Sequence, residues 1–531
     1  MTTLAPGVLL VLDGWGYAPP SPANALTAAR TPFLDALSGG PNGRLLDASG
    51  ASVGLPEGTV GNSETGHLVM GAGHAVEYDS LRVERDVSSG DLRSHPLLRD
   101  MCAALARNGG TLHLVGLCSD GRIHSDIGHL PEILRAAWEA ALYRVRIWVI
   151  TDGRDVADGT AARYLSRLAA MTEERGVGSI SGVVGRDYAM DKSGKEHLTA
   201  AAARLLLDGD AEHTAATPQD ALLPSVGDGA IPPTAVTGLS GHRARVEDGD
   251  GILFTNFRSD RTAPLADMVA DLLAASGRDR VRLLSLAQYD TRTAIPALVS
   301  RADASGGLSD VLEEAGARSL RVAEPEKFEH VTFFLNGRDS RPRKGEEHLK
   351  ITGAPDGPVH EHPEMNAAGV ADAIAEACGR DDIDLIAANL ANIDVVGHTG
   401  NFDATRRSAE AVDTAVSRIH AAARAAGRWM LVVGDHGNAE QMLRSAGDKG
   451  EAVPYGGHTH NPVHCVLAPA GTRSDAVLST DPAAITSVAP TVLRLLGLPV
   501  PPPMTAPSLL REAVLDPAAP GPTGAAQEGR R

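Results

Sequence analysis

The side chains of this chain best suited to holding divalent ions are Asp13, Asp394, His398, Asp435, His436 and His458. Carboxylates offer hard oxygen ligands, and imidazole joins them when the metal is Mn or Zn, the combination that metal-dependent phosphoryl transfer needs. Asp394 and His398 are four residues apart, so a helical turn would point both to one side. Asp435 and His436 would project from a strand exit onto adjacent ligand positions. Taken singly, each motif reads more readily as a turn. Their joint appearance just past apolar runs favours a metal centre. Ser63, in Gly61-Asn62-Ser63-Glu64-Thr65-Gly66-His67-Leu68, is the matching nucleophile. Helix-terminal N–H groups and a metal would stabilise its alkoxide. The plainer reading makes Ser63 the cap of that helix.

The elements that must position these groups are short runs of Val, Ile and Leu ending in polar, Gly-containing segments, as buried parallel strands do. They are Val8–Leu12, Leu112–Leu117, Val145–Ile150, Ile252–Phe254, Leu385–Leu390 and Met430–Val433. Between them lie helical patterns such as Ala404 to Ala426, with Val412, Val416, Ile419 and Ala423 on one face. The alternation predicts α/β architecture with ligands at the carboxyl ends of the strands. Polar residues around Tyr78 to Leu81 and small residues from Arg301 to Leu308 suggest two hinges. Residues 79–303 would then be a domain inserted into another made of 1–78 and 304–515. The Pro-, Gly- and Ala-rich tail 516–531 is expected to be disordered.

A length of 531 residues favours at least two cores. The net charge of −18 argues against nucleic acid or an anionic membrane as partner, so an anionic substrate needs a local cationic cluster. Val8–Leu12 lacks a basic flank and stops at Asp13, unlike a signal peptide, and no stretch is long enough to span a bilayer. Cys102, Cys118, Cys378 and Cys465 are scattered without a Cys-x-x-Cys pair, which points to reduced thiols in the cytoplasm.

Seven segments in order between about residues 8 and 510 resemble the cofactor-independent phosphoglycerate mutases. They are Asp13-Gly14-Trp15-Gly16, Gly61 to His67, Asp152-Gly153-Arg154-Asp155, Asn256-Phe257-Arg258-x-Asp260-Arg261, Glu326-Lys327-x-x-His330-Val331-Thr332-Phe333-Phe334, Val396 to Asn401 and Asp435 to Glu440. The resemblance implies an alkaline-phosphatase-like metal domain carrying an inserted α/β transferase domain, with the active site in the cleft between them. It implies two divalent ions, usually Mn, and no 2,3-bisphosphoglycerate. Asp394, His398 and His458 would bind one ion, and Asp13, Ser63, Asp435 and His436 the other. Ser63 would take the phosphoryl group from one hydroxyl of a phosphoglycerate and return it to the other. His124, Arg154, Asp155, Arg186, Lys192, Arg258, Arg261 and Lys327 would bind the small phosphorylated carboxylate. Guanidinium forks suit both of its anionic groups, although any one arginine alone reads as a surface charge. Asp155 would shuttle the proton while His124 or Lys327 steadies negative charge. A monomer in the cytoplasm completes the implied picture.

Three departures from the family pattern fall in the substrate half. Lys192 stands where an arginine is usual, Arg122 and Asp126 add charges beside His124, and Val156-Ala157 replaces a proline-containing run. They raise the alternative of a specialised enzyme acting on a phosphonate or other analogue of phosphoglycerate, with ordinary divergence as the simpler explanation. A phosphatase or phosphopentomutase of the same superfamily, and a metal-binding regulator without catalysis, are the remaining alternatives.

Overall fold

A computed structural model describes residues 4–511 apart from 192, 193, 224, 239, 240, 356 and 447–450. Lys192 and the tail 516–531 therefore lie outside the described residues. The chain divides into two compact units, one formed up to Val76 and again from Asp303 onward, the other by Glu77–Ala302. Both are α/β.

The first unit is built on a seven-stranded sheet. Its strand order is Glu346–Lys350, Ser319–Ala323, Leu385–Leu390, Gly7–Leu12, Trp429–Gly434, Val463–Ala468 and Gly43–Leu46. The first five run parallel, and the last two pair antiparallel at the edge. Gly7–Leu12 is buried along its whole length, which is why it reads as a continuous apolar run instead of an alternating one. Leu12 pairs with Leu390 on one side and with Gly434 on the other. That register brings Asp13, Ala391 and Asp435 out of the sheet level with one another. The Phe402–Ala425 helix covers the sheet with Val412, Val416, Ile419 and Ala423, all buried, as its 3.6-residue periodicity predicts.

The second unit has an eight-stranded sheet in the order Ala297–Val299, Arg282–Ala287, Gly251–Phe254, Leu112–Leu117, Val145–Thr151, Ser179–Gly185, Thr234–Val236 and His213–Ala215. One junction is antiparallel, between Ser179–Gly185 and Thr234–Val236. Four consecutive parallel strands, from Gly251–Phe254 to Ser179–Gly185, end in the segments that carry this unit's candidate residues. All four cysteines are buried and unpaired. No helix among the described residues is long and apolar enough to cross a membrane.

Candidate active site

In the first unit, side chains from six segments converge at the carboxyl end of the sheet. Asp13 is followed by Gly14 at φ +75°, where an added Cβ would lie 3.1 Å from the Asp394 main chain, so the turn requires glycine. Gly14 N and His436 N each donate to Asp435 Oδ1 at 3.0 Å. Asp435 Oδ2 is buried without a hydrogen-bond partner. Asp394 projects from the short helix Asn392–Gly397, and the His398 N–H closes its last turn on the Asp394 carbonyl at 2.9 Å. One helical turn therefore presents both side chains on the same side, with His398 Nε2 3.3 Å from Asp394 Oδ1.

Ser63 opens the helix Ser63–Ala72 but does not cap it. The cap is Asn62, whose Oδ1 accepts from Thr65 N at 2.9 Å. Freed from capping, Ser63 Oγ lies 3.2 Å from Asp13 Oδ1 and 2.9 Å from His436 Nε2. It also accepts from Lys327 Nζ at 2.7 Å. Lys327 reaches this point from the one-turn helix Pro325–Lys327, which follows the Ser319–Ala323 strand. Its other two protons go to Asp13 Oδ1 at 2.7 Å and Asp394 Oδ2 at 2.8 Å. Burial disfavours the ammonium, but Asp13 and Asp394 outweigh it and hold its pKa above the ordinary lysine value. Burial likewise pushes Asp13 and Asp394 up, and Lys327 overcomes this to hold both below the ordinary range. Asp435, which receives none of the three lysine protons, is pushed up by burial and by Asp13. His436 opposes its own burial through Asp435 and Asp13 and is raised to about 9.

The donor set suits divalent cations. Three buried carboxylates face a single ammonium, leaving negative charge that a low-dielectric site must neutralise. His398 Nδ1 donates to the Gly456 carbonyl at 2.8 Å and His458 Nδ1 to the Gly61 carbonyl at 2.9 Å. These bonds leave the lone pairs on the two Nε2 atoms, which lie 3.2 Å apart. Asp394 Oδ1 is 3.3 Å from each. Two imidazole lone pairs and a carboxylate oxygen converging on one point, each ring oriented by a main-chain carbonyl, form a metal-binding arrangement.

In the second unit, the residues implied for substrate binding gather at the four strand exits. His124 Nδ1 hydrogen-bonds Asp155 Oδ2 at 2.7 Å, and Arg186 donates to Asp155 Oδ1 at 2.7 Å. Burial raises the Asp155 carboxyl, but the bonds from His124 and Arg186 prevail and hold it below the ordinary range. Arg258 and Arg261 both pair with Asp260, whose Oδ1 is 3.9 Å from His124 Nε2. Arg154 is turned to the exposed Asp187 at 3.3 Å, so it stands at the edge of the group. Lys327 lies in the first unit, where it pairs with Asp13 and Asp394.

The two charged residues of one departure from the family pattern, Arg122 and Asp126, explain each other. Arg122 Nε donates to Asp126 Oδ2 at 2.8 Å, so the added charges form one ion pair. The pair accompanies a left-handed backbone at Arg122, φ +57°, which a side chain of this size seldom adopts. Lys192 cannot be placed, being outside the described residues.

Several polar residues of the site are not singled out by the motifs above. Asn389 is hidden inside an apolar strand, yet it donates to Asp13 Oδ2 at 2.8 Å. His67 is one residue of a longer motif. Asp152 is the hub beneath Asp155: its carboxylate accepts from Arg186, from Ser119 Oγ at 2.6 Å and from the main-chain N–H groups of Arg154 and Asp155. A sharper reading of Asp152-Gly153-Arg154-Asp155 as an Asx turn would have found it, because the first carboxylate of such a run commonly binds the N–H two residues on.

The Metalloenzyme superfamily profile matches residues 5–500. A 2,3-bisphosphoglycerate-independent phosphoglycerate mutase of Streptomyces coelicolor is 53% identical over 510 residues, covering 95% of this chain and 98% of its own. One from Synechococcus sp. strain JA-3-3Ab is 38% identical, covering 96% and 97%. Among solved structures, a phosphoglycerate mutase of Leishmania mexicana at low cobalt concentration superposes with a TM-score of 0.72 at 28% identity, covering 96% of this chain and 98% of that one. With its metal-suited donor set and end-to-end similarity to these proteins, the chain belongs to the 2,3-bisphosphoglycerate-independent phosphoglycerate mutase family within the metalloenzyme superfamily.

Proposed function

We propose that this protein interconverts 3-phosphoglycerate and 2-phosphoglycerate by passing the phosphoryl group through Ser63. The observation that carries the reading is the environment of Ser63 Oγ, held at 2.7 Å by Lys327 Nζ and at 2.9 Å by His436 Nε2 beside three buried carboxylates. Asp394, His398 and His458 would hold one divalent ion and Asp13, Ser63, Asp435 and His436 a second, both Mn, and these would ease deprotonation of the serine and neutralise charge on the transferred group.

The chain's own residues supply the rest. The hydrogen bond from Lys327 stabilises the deprotonated Ser63 oxygen, which attacks phosphorus as the bond to the substrate oxygen breaks. The His124–Asp155 pair donates a proton to that oxygen and recovers one from the other hydroxyl. The second hydroxyl then attacks phosphoserine, breaking the P–Oγ bond and restoring Ser63. Arg154, Arg186, Arg258 and Arg261, with Lys192, hold the glycerate so that it reorients without leaving. Water must stay out, or phosphoserine hydrolyses. The working form is taken to be a monomer. Four buried, unpaired thiols suit a reducing cytoplasm. The pairing of Arg122 with Asp126 weakens the case for an analogue as natural substrate, because those charges answer each other.

The test is phosphorus NMR of purified protein with Mn and 3-phosphoglycerate, plus rapid acid quench with labelled substrate. Formation of 2-phosphoglycerate without free phosphate, and a labelled phosphoprotein that vanishes in Ser63→Ala, is the expected result. Steady release of phosphate, or full mutase activity in Ser63→Ala, would overturn the assignment.

A further inference from the structure

Asn389 and His67 are fully buried polar side chains that the chemistry above leaves without a task. Asn389 lies inside the Leu385–Leu390 strand, opposite Val11 of the central strand. A buried amide in an apolar strand costs free energy unless its hydrogen bonds are met. Its Nδ2 donates to Asp13 Oδ2 at 2.8 Å and to His67 Nε2 at 3.1 Å, while its Oδ1 is buried without a hydrogen-bond partner.

The two contacts fix the orientation of the whole group. Turning the amide over would set Oδ1 against the Asp13 carboxylate, acceptor on acceptor, so Nδ2 must face Asp13. The second Nδ2 proton then requires an acceptor at His67 Nε2, and the ring proton belongs on Nδ1. That N–H donates to the Ser63 carbonyl at 2.9 Å and lies 3.5 Å from Asp435 Oδ2. Asp13, His67 and Asp435 are close enough to be taken for a metal-binding trio. With both ring nitrogens engaged, His67 has no lone pair left to offer an ion. We infer that His67 and Asn389 are a coupled pair of positioning residues that orient Asp13 and Ser63, two of the four groups proposed to hold one ion, without binding that ion themselves.

The inference rests on the two-metal reading above. Residues behind metal ligands typically change affinity or activity by about 10–100-fold when lost. The experiment compares full-length wild type, His67→Leu, His67→Gln, Asn389→Leu and the His67→Leu/Asn389→Leu double variant. Free Mn is followed by electron paramagnetic resonance during titration without substrate, and kcat and KM for 3-phosphoglycerate are measured separately.

The expected result is roughly 10–100-fold weaker Mn binding in each leucine variant. KM should stay near wild type while kcat falls, and the double variant should lose little beyond either single one because the two act as a unit. His67→Gln should recover most of the loss, since its Oε1 can accept from Asn389 where Nε2 did. Thermal melting identifies a variant that fails to fold, and the other position then carries the test. Wild-type Mn affinity in the leucine variants overturns the inference alone, as does a glutamine variant no better than leucine, which would assign His67 a packing role. Wild-type protein that binds no Mn overturns the two-metal reading and the inference with it.

Discussion

Gly66→Ala should separate catalysis from stability. Gly66 sits in the second turn of the Ser63–Ala72 helix, against the residue that supplies the orphan carboxylate oxygen. A Cβ at this position would lie 2.9 Å from the Asp435 carbonyl oxygen and 3.0 Å from its Cβ, whereas ordinary contact begins at 3.4 Å. Main chain on both sides means the strain cannot be absorbed by a rotating side chain, and the helix and Asp435 must part by about 0.5 Å. Helix propensity favours alanine by about 1 kcal/mol, which offsets much of that strain in the folding equilibrium. Catalysis has no such offset, because a misplacement near 1 Å costs about 100-fold and half of it roughly tenfold. Melting temperature and urea unfolding should therefore stay close to wild type while kcat and Mn affinity fall about tenfold. Unchanged kcat and Mn affinity in a folded variant would refute the reasoning. So would a drop of many degrees in Tm, which would mean that the contact acts on the helix as a whole.

Asn62→Ala removes the side-chain cap of the Ser63 helix, and urea unfolding should show a loss of about 1 kcal/mol. Glu324 is fully buried with Oε2 unpartnered, and burial pushes its carboxyl up to about 7. Because the folded value exceeds the unfolded one, wild type should lose stability as pH rises from about 4.5 to 7. Relative to wild type, Glu324→Gln should gain on the order of 3 kcal/mol across that window and hold the gain above it, as measured by unfolding at a series of pH values. Asp155 is the opposite case, since His124 and Arg186 hold its folded value below the ordinary one. Its advantage over Asp155→Asn should be complete above about pH 5 and shrink as pH falls below about 4 toward the folded pKa, in the same unfolding series.

The local physics of the sequence determined much of this protein. Fully buried parallel strands need unbroken apolar runs, so Val8–Leu12, Leu385–Leu390 and Met430–Val433 announce themselves, and the polar residues after them mark the sheet's carboxyl edge. A spacing of four is enough by itself to put Asp394 and His398 on one helical turn. Tertiary structure decided which atoms meet. Only the pairing of Leu12 with both Leu390 and Gly434 brings Asp13 level with Asp435 across hundreds of residues of chain. Whether Ser63 or Asn62 capped the helix turned on backbone geometry that both residue types satisfy equally. Asn389 stayed hidden because strand patterning reports burial and is silent on a polar residue whose partners, Asp13 and His67, arrive from distant segments. Arg122 and Asp126 looked like two anomalies until the fold set them 2.8 Å apart, because charge in a sequence has a sign and a position but no partner.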